Sequence, residues 1–132
     1  MRIAVRYYSK LGHTKTIAEA IAEGAGVAAL SVETEPRLSE YTDLLFLGGA
    51  PYANTMDNRL SEYVDNLDAS MVGKVILFTT SNWSRRTIYA IRKVLKAKNI
   101  PFDMDYFYAQ MLNIKGRKGA AKNFAMEKVR QP

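Results

Sequence analysis

The sequence predicts an α/β protein, a doubly wound sandwich in which helices cover both faces of a parallel sheet. Three observations carry that expectation. Residues 2–8, 43–48 and 74–78 are short runs with apolar side chains on both parities, as in strands covered on both faces. Each strand-like run save one is followed, after a loop, by apolar residues at helical spacing. The chain therefore reads strand, helix, strand, strand, helix, strand, helix, strand, helix, which implies parallel strands with right-handed crossovers. Repeats and a domain boundary are both absent, so residues 1–132 read as one domain.

The first strand, residues 2–8, contains Arg6, a charge that needs a carboxylate near the strand end. A helix over residues 14–25 places Ile17, Ala18, Ile21, Ala22 and Ala25 on one stripe, with Gly24 and Gly26 as stop signals. Residues 27–32 read as a short edge strand, and the polar stretch 33–42, which holds Pro36, as a loop. In the next strand Leu44, Leu45, Phe46 and Leu47 are continuously apolar, which places it in mid-sheet. A helix over residues 56–67 turns Leu60, Tyr63, Val64 and Leu67 inward, and Gly73 ends the connection. After the strand at 74–78, residues 79–84 read as a hydroxyl-rich loop. The helix that follows runs to about residue 98, with Ile88, Ile91, Val94 and Leu95 on its core stripe and Asn99 and Pro101 at its end. Residues 102–111 are strand-like, 113–119 a basic loop, and 120–130 a last helix with Ala121, Phe124, Ala125 and Val129 inward.

A chain of 132 residues can bury a substantial core. It has no cysteine, which excludes disulfides, thiolate metal sites and cysteine nucleophiles. Its single histidine, His13, argues against a histidine-based metal site. The first residues read as a strand rather than a targeting signal, and no apolar run approaches the roughly 20 residues that span a bilayer. A cytoplasmic protein is the expectation. Lys and Arg outnumber Asp and Glu by 19 to 13, and such a balance attracts acidic partners. The excess gathers at Arg85, Arg86, Arg92, Lys93, Lys96 and Lys98, and again at Lys115, Arg117, Lys118 and Lys122. Neither cluster is an aromatic-interleaved patch of the nucleic-acid-binding kind, so no nucleic-acid partner is expected.

Parallel strands bring their carboxyl ends to one sheet edge, where doubly wound folds bind ligands. Three loops leave that edge. The first, Ser9-Lys10-Leu11-Gly12-His13-Thr14, joins a strand to a helix N-terminus and offers backbone N–H groups, hydroxyls and the helix dipole to an anion. An ordinary strand-to-helix turn capped by Thr14 is the alternative for this stretch taken alone. The second loop, Gly48 to Asn54, carries Ala50, Pro51, Tyr52 and Ala53; the third carries Thr79, Thr80, Ser81, Asn82 and Trp83. An anion cradle flanked by two loops that each hold an aromatic ring suits a flat, aromatic, phosphorylated ligand.

These three stretches resemble the flavodoxin family, in order and spacing over nearly the whole chain. They are Tyr8-Ser9-Lys10-Leu11-Gly12-His13-Thr14, Leu47-Gly48-Gly49-Ala50-Pro51-Tyr52 and Phe78-Thr79-Thr80-Ser81-Asn82-Trp83. The resemblance implies a five-stranded parallel sheet of order 2-1-3-4-5, in the short-chain form, and electron transfer through bound FMN. It implies that Ser9, Gly12 and Thr14 meet the FMN phosphate and that Tyr52 and Trp83, one on each of the other two loops, flank the isoalloxazine ring. It further implies that Thr79, Thr80, Ser81 and Asn82 meet the ring's polar edge through backbone groups and hydroxyls.

Two departures stand out. Leu11 occupies a position where the motif usually has a hydroxyl; a lost charge-assisted hydrogen bond costs roughly 1.5–3 kcal/mol. Lys10 and His13 offset this with positive charge beside a dianion, which predicts FMN affinity that varies with pH. The net charge of +6 reverses the acidic balance usual in the family. A unit charge at about 4 Å in water is worth about 1 kcal/mol, on the order of 40 mV for one electron, so a less negative second reduction step is expected. Redox partner proteins with acidic docking surfaces are the expected partners. Two further readings compete with an electron carrier: a flavin-dependent NAD(P)H or quinone-type reductase on the same fold, and an interaction module that has lost FMN. A phospho-receiver domain is excluded because its acidic strand ends are replaced by Tyr7-Tyr8-Ser9 and Leu47-Gly48-Gly49.

Overall fold

A computed structural model describes residues 1–51 and 56–131 of the chain. The elements are β1 (Ile3–Tyr7), α1 (His13–Ala25), β2 (Ala29–Ser31), β3 (Thr42–Gly49), α2 (Asn58–Asp65), β4 (Val72–Ser81), α3 (Arg86–Ala97), β5 (Phe102–Gln110), a single 3-10 turn (Met111–Asn113) and α4 (Ile114–Arg130). The five strands form one sheet of order β2-β1-β3-β4-β5, and every pairing is parallel. Sheet order and class match the expectation. All strands therefore end at the same edge, with the order reversing between β1 and β3.

Two apolar layers flank the sheet. On one face Leu60, Tyr63 and Val64 of α2 and Ile88, Ile91 and Leu95 of α3 pack on Leu45, Leu47, Val75 and Leu77. On the other, Ile17 and Ile21 of α1 and Ala121 and Ala125 of α4 pack on Val5, Leu44, Phe46, Ile76 and Phe78. The alternation of Leu44 to Leu47 between the two clusters explains the unbroken apolar run, since a strand covered twice has no solvent face. Arg6 finds its carboxylate: it is buried, and its Nη2 lies 3.0 Å from Glu35. Tyr63 lies in the same neighbourhood. Burial pushes its hydroxyl up to about 12, against the pull of the Arg6 guanidinium.

The structure corrects four local expectations. Gly26 is a left-handed C-cap, but Gly24 is not a stop signal: it lies inside α1, where a Cβ would sit 2.3 Å from the Lys122 carbonyl oxygen of α4. The missing side chain lets the two helices approach. Gly73 does not end a connection; it lies within β4, where a Cβ would meet the Asp43 carbonyl oxygen at 2.7 Å. Residues 79–81 are strand rather than loop, paired with Tyr108, Ala109 and Gln110. Residues 114–119 form the first turns of α4 rather than a basic loop. Gly116 and Gly119 disfavour helix locally, but tertiary contacts override them: Ile114 is buried, and Arg117 lies 4.9 Å from the Phe107 ring centroid and donates to the Tyr108 carbonyl at 3.2 Å.

Candidate functional site: an anion cradle at the sheet edge

The loop after β1 is built from short contacts. Tyr8 donates its N–H to the Gly48 carbonyl at 3.2 Å, which carries the chain one residue past the strand beside β3. The Gly12 N–H donates to Ser9 Oγ at 3.0 Å and closes the turn. Gly12 has φ +96°, and nothing lies within 4 Å of where a Cβ would be. Backbone geometry, not space, is what calls for glycine there. Thr16 returns both its N–H (3.1 Å) and its hydroxyl (3.0 Å) to the Gly12 carbonyl, fixing the first turn of α1. That first turn has no acidic residue and, among the described residues, no side-chain cap, so the positive end of the helix dipole is not neutralised there.

Thr14 does not cap the helix. Its hydroxyl is buried and shares a 2.7 Å hydrogen bond with Thr80 Oγ1 at the end of β4. The bond ties the first loop to the third across the position of β3. A cavity of about 350 Å³ opens at this point, lined by Ser9, Lys10, Leu11, His13, Thr14, Ala50, Pro51, Thr80 and Met111. The residues expected from the first loop thus converge with Ala50 and Pro51 of the second and Thr80 of the third. Gly12 supplies the turn beneath them. His13 Nδ1 is buried with no hydrogen-bond partner among the described residues. Leu11 is 77% exposed, so its side chain is not held by the core. Tyr52 and Ala53 lie outside the described residues.

The third loop is arranged differently from the expectation. The Thr79 hydroxyl donates to the Gly49 carbonyl at 2.7 Å, and the Ser81 hydroxyl to the Ser84 carbonyl at 2.6 Å. With Thr80 bonded to Thr14, all three hydroxyls serve to join strands and loops, and of the three residues Thr80 lines the cavity. Asn82 and Trp83 are exposed, Trp83 by 73%. Trp83 has a backbone φ of +77°, in the left-handed region.

Several residues of this edge escaped the sequence reading. Met111 closes the cavity from the turn after β5. Its signal was available, because a fifth parallel strand must end at the same edge as the others. Arg85, Tyr106 and Tyr108 surround the third loop. The i, i+2 spacing of the two tyrosines puts them on one face of β5, but nothing local points that face at residue 83. No group of acidic or histidine side chains able to hold a metal ion occurs among the described residues. The electrostatics are cationic: Arg86, Lys93 and Lys96 on α3 and Lys115 and Lys118 on α4 have no ion-pair partner among the described residues. Lys115 and Lys118 also line, with His13 and Met111, a shallow groove that adjoins the cradle.

Fold and site together define a doubly wound α/β protein with a cavity at the switch point of its sheet. Comparison with solved structures gives that architecture its name. The chain superposes on flavodoxin 1 from Bacillus cereus with a TM-score of 0.82 at 14% identity, covering 100% of this chain and 99% of that one. A flavodoxin from the domain Archaea matches with a TM-score of 0.77 at 15% identity, over 99% and 98% of the two chains. A WrbA-like flavodoxin from Agrobacterium tumefaciens matches with a TM-score of 0.77 at 20% identity, over 98% of each. The chain has the flavodoxin fold over its full length. No family model and no curated protein matches its sequence.

Proposed function

We propose that this protein binds FMN at the cradle and carries electrons between redox partners. The observation that carries the reading is the convergence of Ser9, His13 and Thr14 with Ala50, Pro51 and Thr80 around one cavity at the switch point. The residues present fit the group. The uncapped start of α1, the orphaned His13 Nδ1 and the Lys10 side chain suit a phosphate dianion, while Leu11, Ala50, Pro51 and Met111 suit an apolar ring system. When bound, FMN supplies the redox chemistry. The chain's own groups bind and orient it: Ser9, Gly12 and Thr14 shape the phosphate end, and residues 79–83 lie beside the ring end. Tyr52 of the second loop is proposed as a ring-stacking residue on the strength of the family resemblance.

No general base is needed for electron carriage. The cationic surface favours acidic redox partners. No helix among the described residues is long and apolar enough to cross a membrane. The second reading is a flavin-dependent reductase on the same fold, which would need a substrate pocket above the ring. Photoreduction of the FMN-loaded protein separates the two. An electron carrier takes up its electrons in two resolved one-electron stages; uptake of both together, with rapid oxidation of NAD(P)H, is the reductase result.

A further inference from the structure

Trp83 holds a backbone conformation that bulky side chains rarely adopt, and its own side chain does not account for it. The φ of +77° lies in the left-handed region, and the indole is 73% exposed, so no core packing fixes it. The conformation is held by a neighbour two residues on, Arg85, and by Tyr108 of β5, 25 residues away. The Trp83 N–H donates to the Tyr108 hydroxyl at 2.8 Å, and that hydroxyl donates in turn to the Ser81 carbonyl at 2.9 Å. Arg85 Nη1 donates to the Trp83 carbonyl at 2.9 Å, so both peptide groups around the indole are held. The Arg85 guanidinium carbon sits 3.5 Å from the Tyr108 ring centroid, within stacking range, and Nε donates to the Tyr106 hydroxyl at 3.1 Å. Strained backbone persists only where its surroundings over-determine it, and it gathers at ligand sites.

We propose that Tyr108 and Arg85 are positioning residues that clamp residues 81–83 and set the exposed Trp83 indole in place before a ligand arrives. The clamp rests on the flavin reading for its purpose: a loop ordered in advance loses less freedom when a ring docks against it. It also assigns the polar groups of the loop. The Ser81 carbonyl and the Trp83 N–H are committed to Tyr108, which leaves the ring's polar edge to other groups of this edge.

The test uses the whole chain and Tyr108→Phe, which keeps the ring beneath Arg85 and removes the hydroxyl alone. Trp83 is the sole tryptophan, so fluorescence anisotropy of the ligand-free protein reports this side chain on the nanosecond scale. The clamp predicts lower anisotropy and an FMN Kd about tenfold weaker, the weight of one to two hydrogen bonds, with an unchanged circular dichroism spectrum. Arg85→Lys, which keeps the charge but cannot stack as a plane, moves both readouts the same way and decides the matter if Tyr108→Phe does not fold. Unchanged anisotropy in the folded variants overturns the clamp. Lower anisotropy with unchanged FMN affinity overturns the positioning role. Failure of the unsubstituted protein to bind FMN overturns the flavin reading instead, and the anisotropy still decides whether the loop is clamped.

Discussion

The loop at residues 9–14 and the loop at residues 81–84 leave the same sheet edge, yet they are held by opposite means. The first is closed from within by the bonds of Gly12 to Ser9 and Thr16 to Gly12, and a distant bond joins Thr14 to Thr80. The second has local bonds of its own, Ser81 to Ser84, Arg86 to Ser84 and Arg85 to Trp83, but both Ser81 and the strained Trp83 are tied to Tyr108 on β5. A loop built from near neighbours is written into a short motif. A loop built from distant partners is visible only once the sheet is assembled.

Substitutions test that contrast, beginning with the long-range bond between Thr14 and Thr80. Thr14→Val leaves the buried Thr80 hydroxyl without its partner and is expected to lower stability by about 2 kcal/mol. Urea denaturation measures it; a value near zero means that the two loops are not tied. Leu11→Thr restores a hydroxyl on an exposed residue. It is expected to tighten FMN binding by about 1.5 kcal/mol, roughly tenfold, with no change in melting temperature. Isothermal titration of the two proteins gives the comparison.

The second loop is expected to respond in the other direction. Trp83→Gly relieves a left-handed backbone strain of roughly 1–2 kcal/mol and adds a glycine's chain entropy of roughly 0.5–1 kcal/mol. The net is a protein more stable by about 1 kcal/mol that binds FMN less tightly. A fall in stability on chemical denaturation would show that the indole is held by packing after all.

The smallest effect lies at the opposite end of β5. There Lys128 Nζ meets Asp103 at 3.0 Å and Asp105 at 2.7 Å. Partial burial works against the charge on Asp103, but the Asp105 N–H and Lys128 outweigh it and hold its carboxyl below the usual range. A depressed carboxyl stabilises the fold above the ordinary carboxylate range, and that contribution is lost as pH falls through the depressed value. Lys128→Met is therefore expected to cost about 0.5 kcal/mol at neutral pH, with the difference from the unsubstituted protein shrinking on acidification. Melting curves at several pH values check it. The clamp at Tyr108 and Arg85 contains no carboxylate, so its effect on Trp83 anisotropy should stay constant over the same range.

What the sequence made legible follows the same division. Strands β1, β3 and β4 were plain because apolar residues on both parities admit one reading, burial on both faces. The sheet order and the cradle came with the motif from Tyr8 to Thr14 and its two companion loops. The start of α4 was not legible, because two glycines and several lysines spell a loop until Ile114 is buried and Arg117 packs on Phe107. Nor was the fate of Thr79 and Ser81. Their hydroxyls suit a ligand edge as well as they suit a neighbouring carbonyl, and only the register of β4 against β3 and β5 decides. Trp83 could be placed on its loop but not held there, since the partner of its N–H, Tyr108, lies 25 residues away on another strand.

The central claim is that this edge is an FMN site. Titration of the purified protein with FMN, read through Trp83 emission and flavin absorbance together, tests it most directly. Saturable quenching at one FMN per chain is expected, with inorganic phosphate competing at the cradle. A protein that stays colourless and whose Trp83 emission does not change would contradict it.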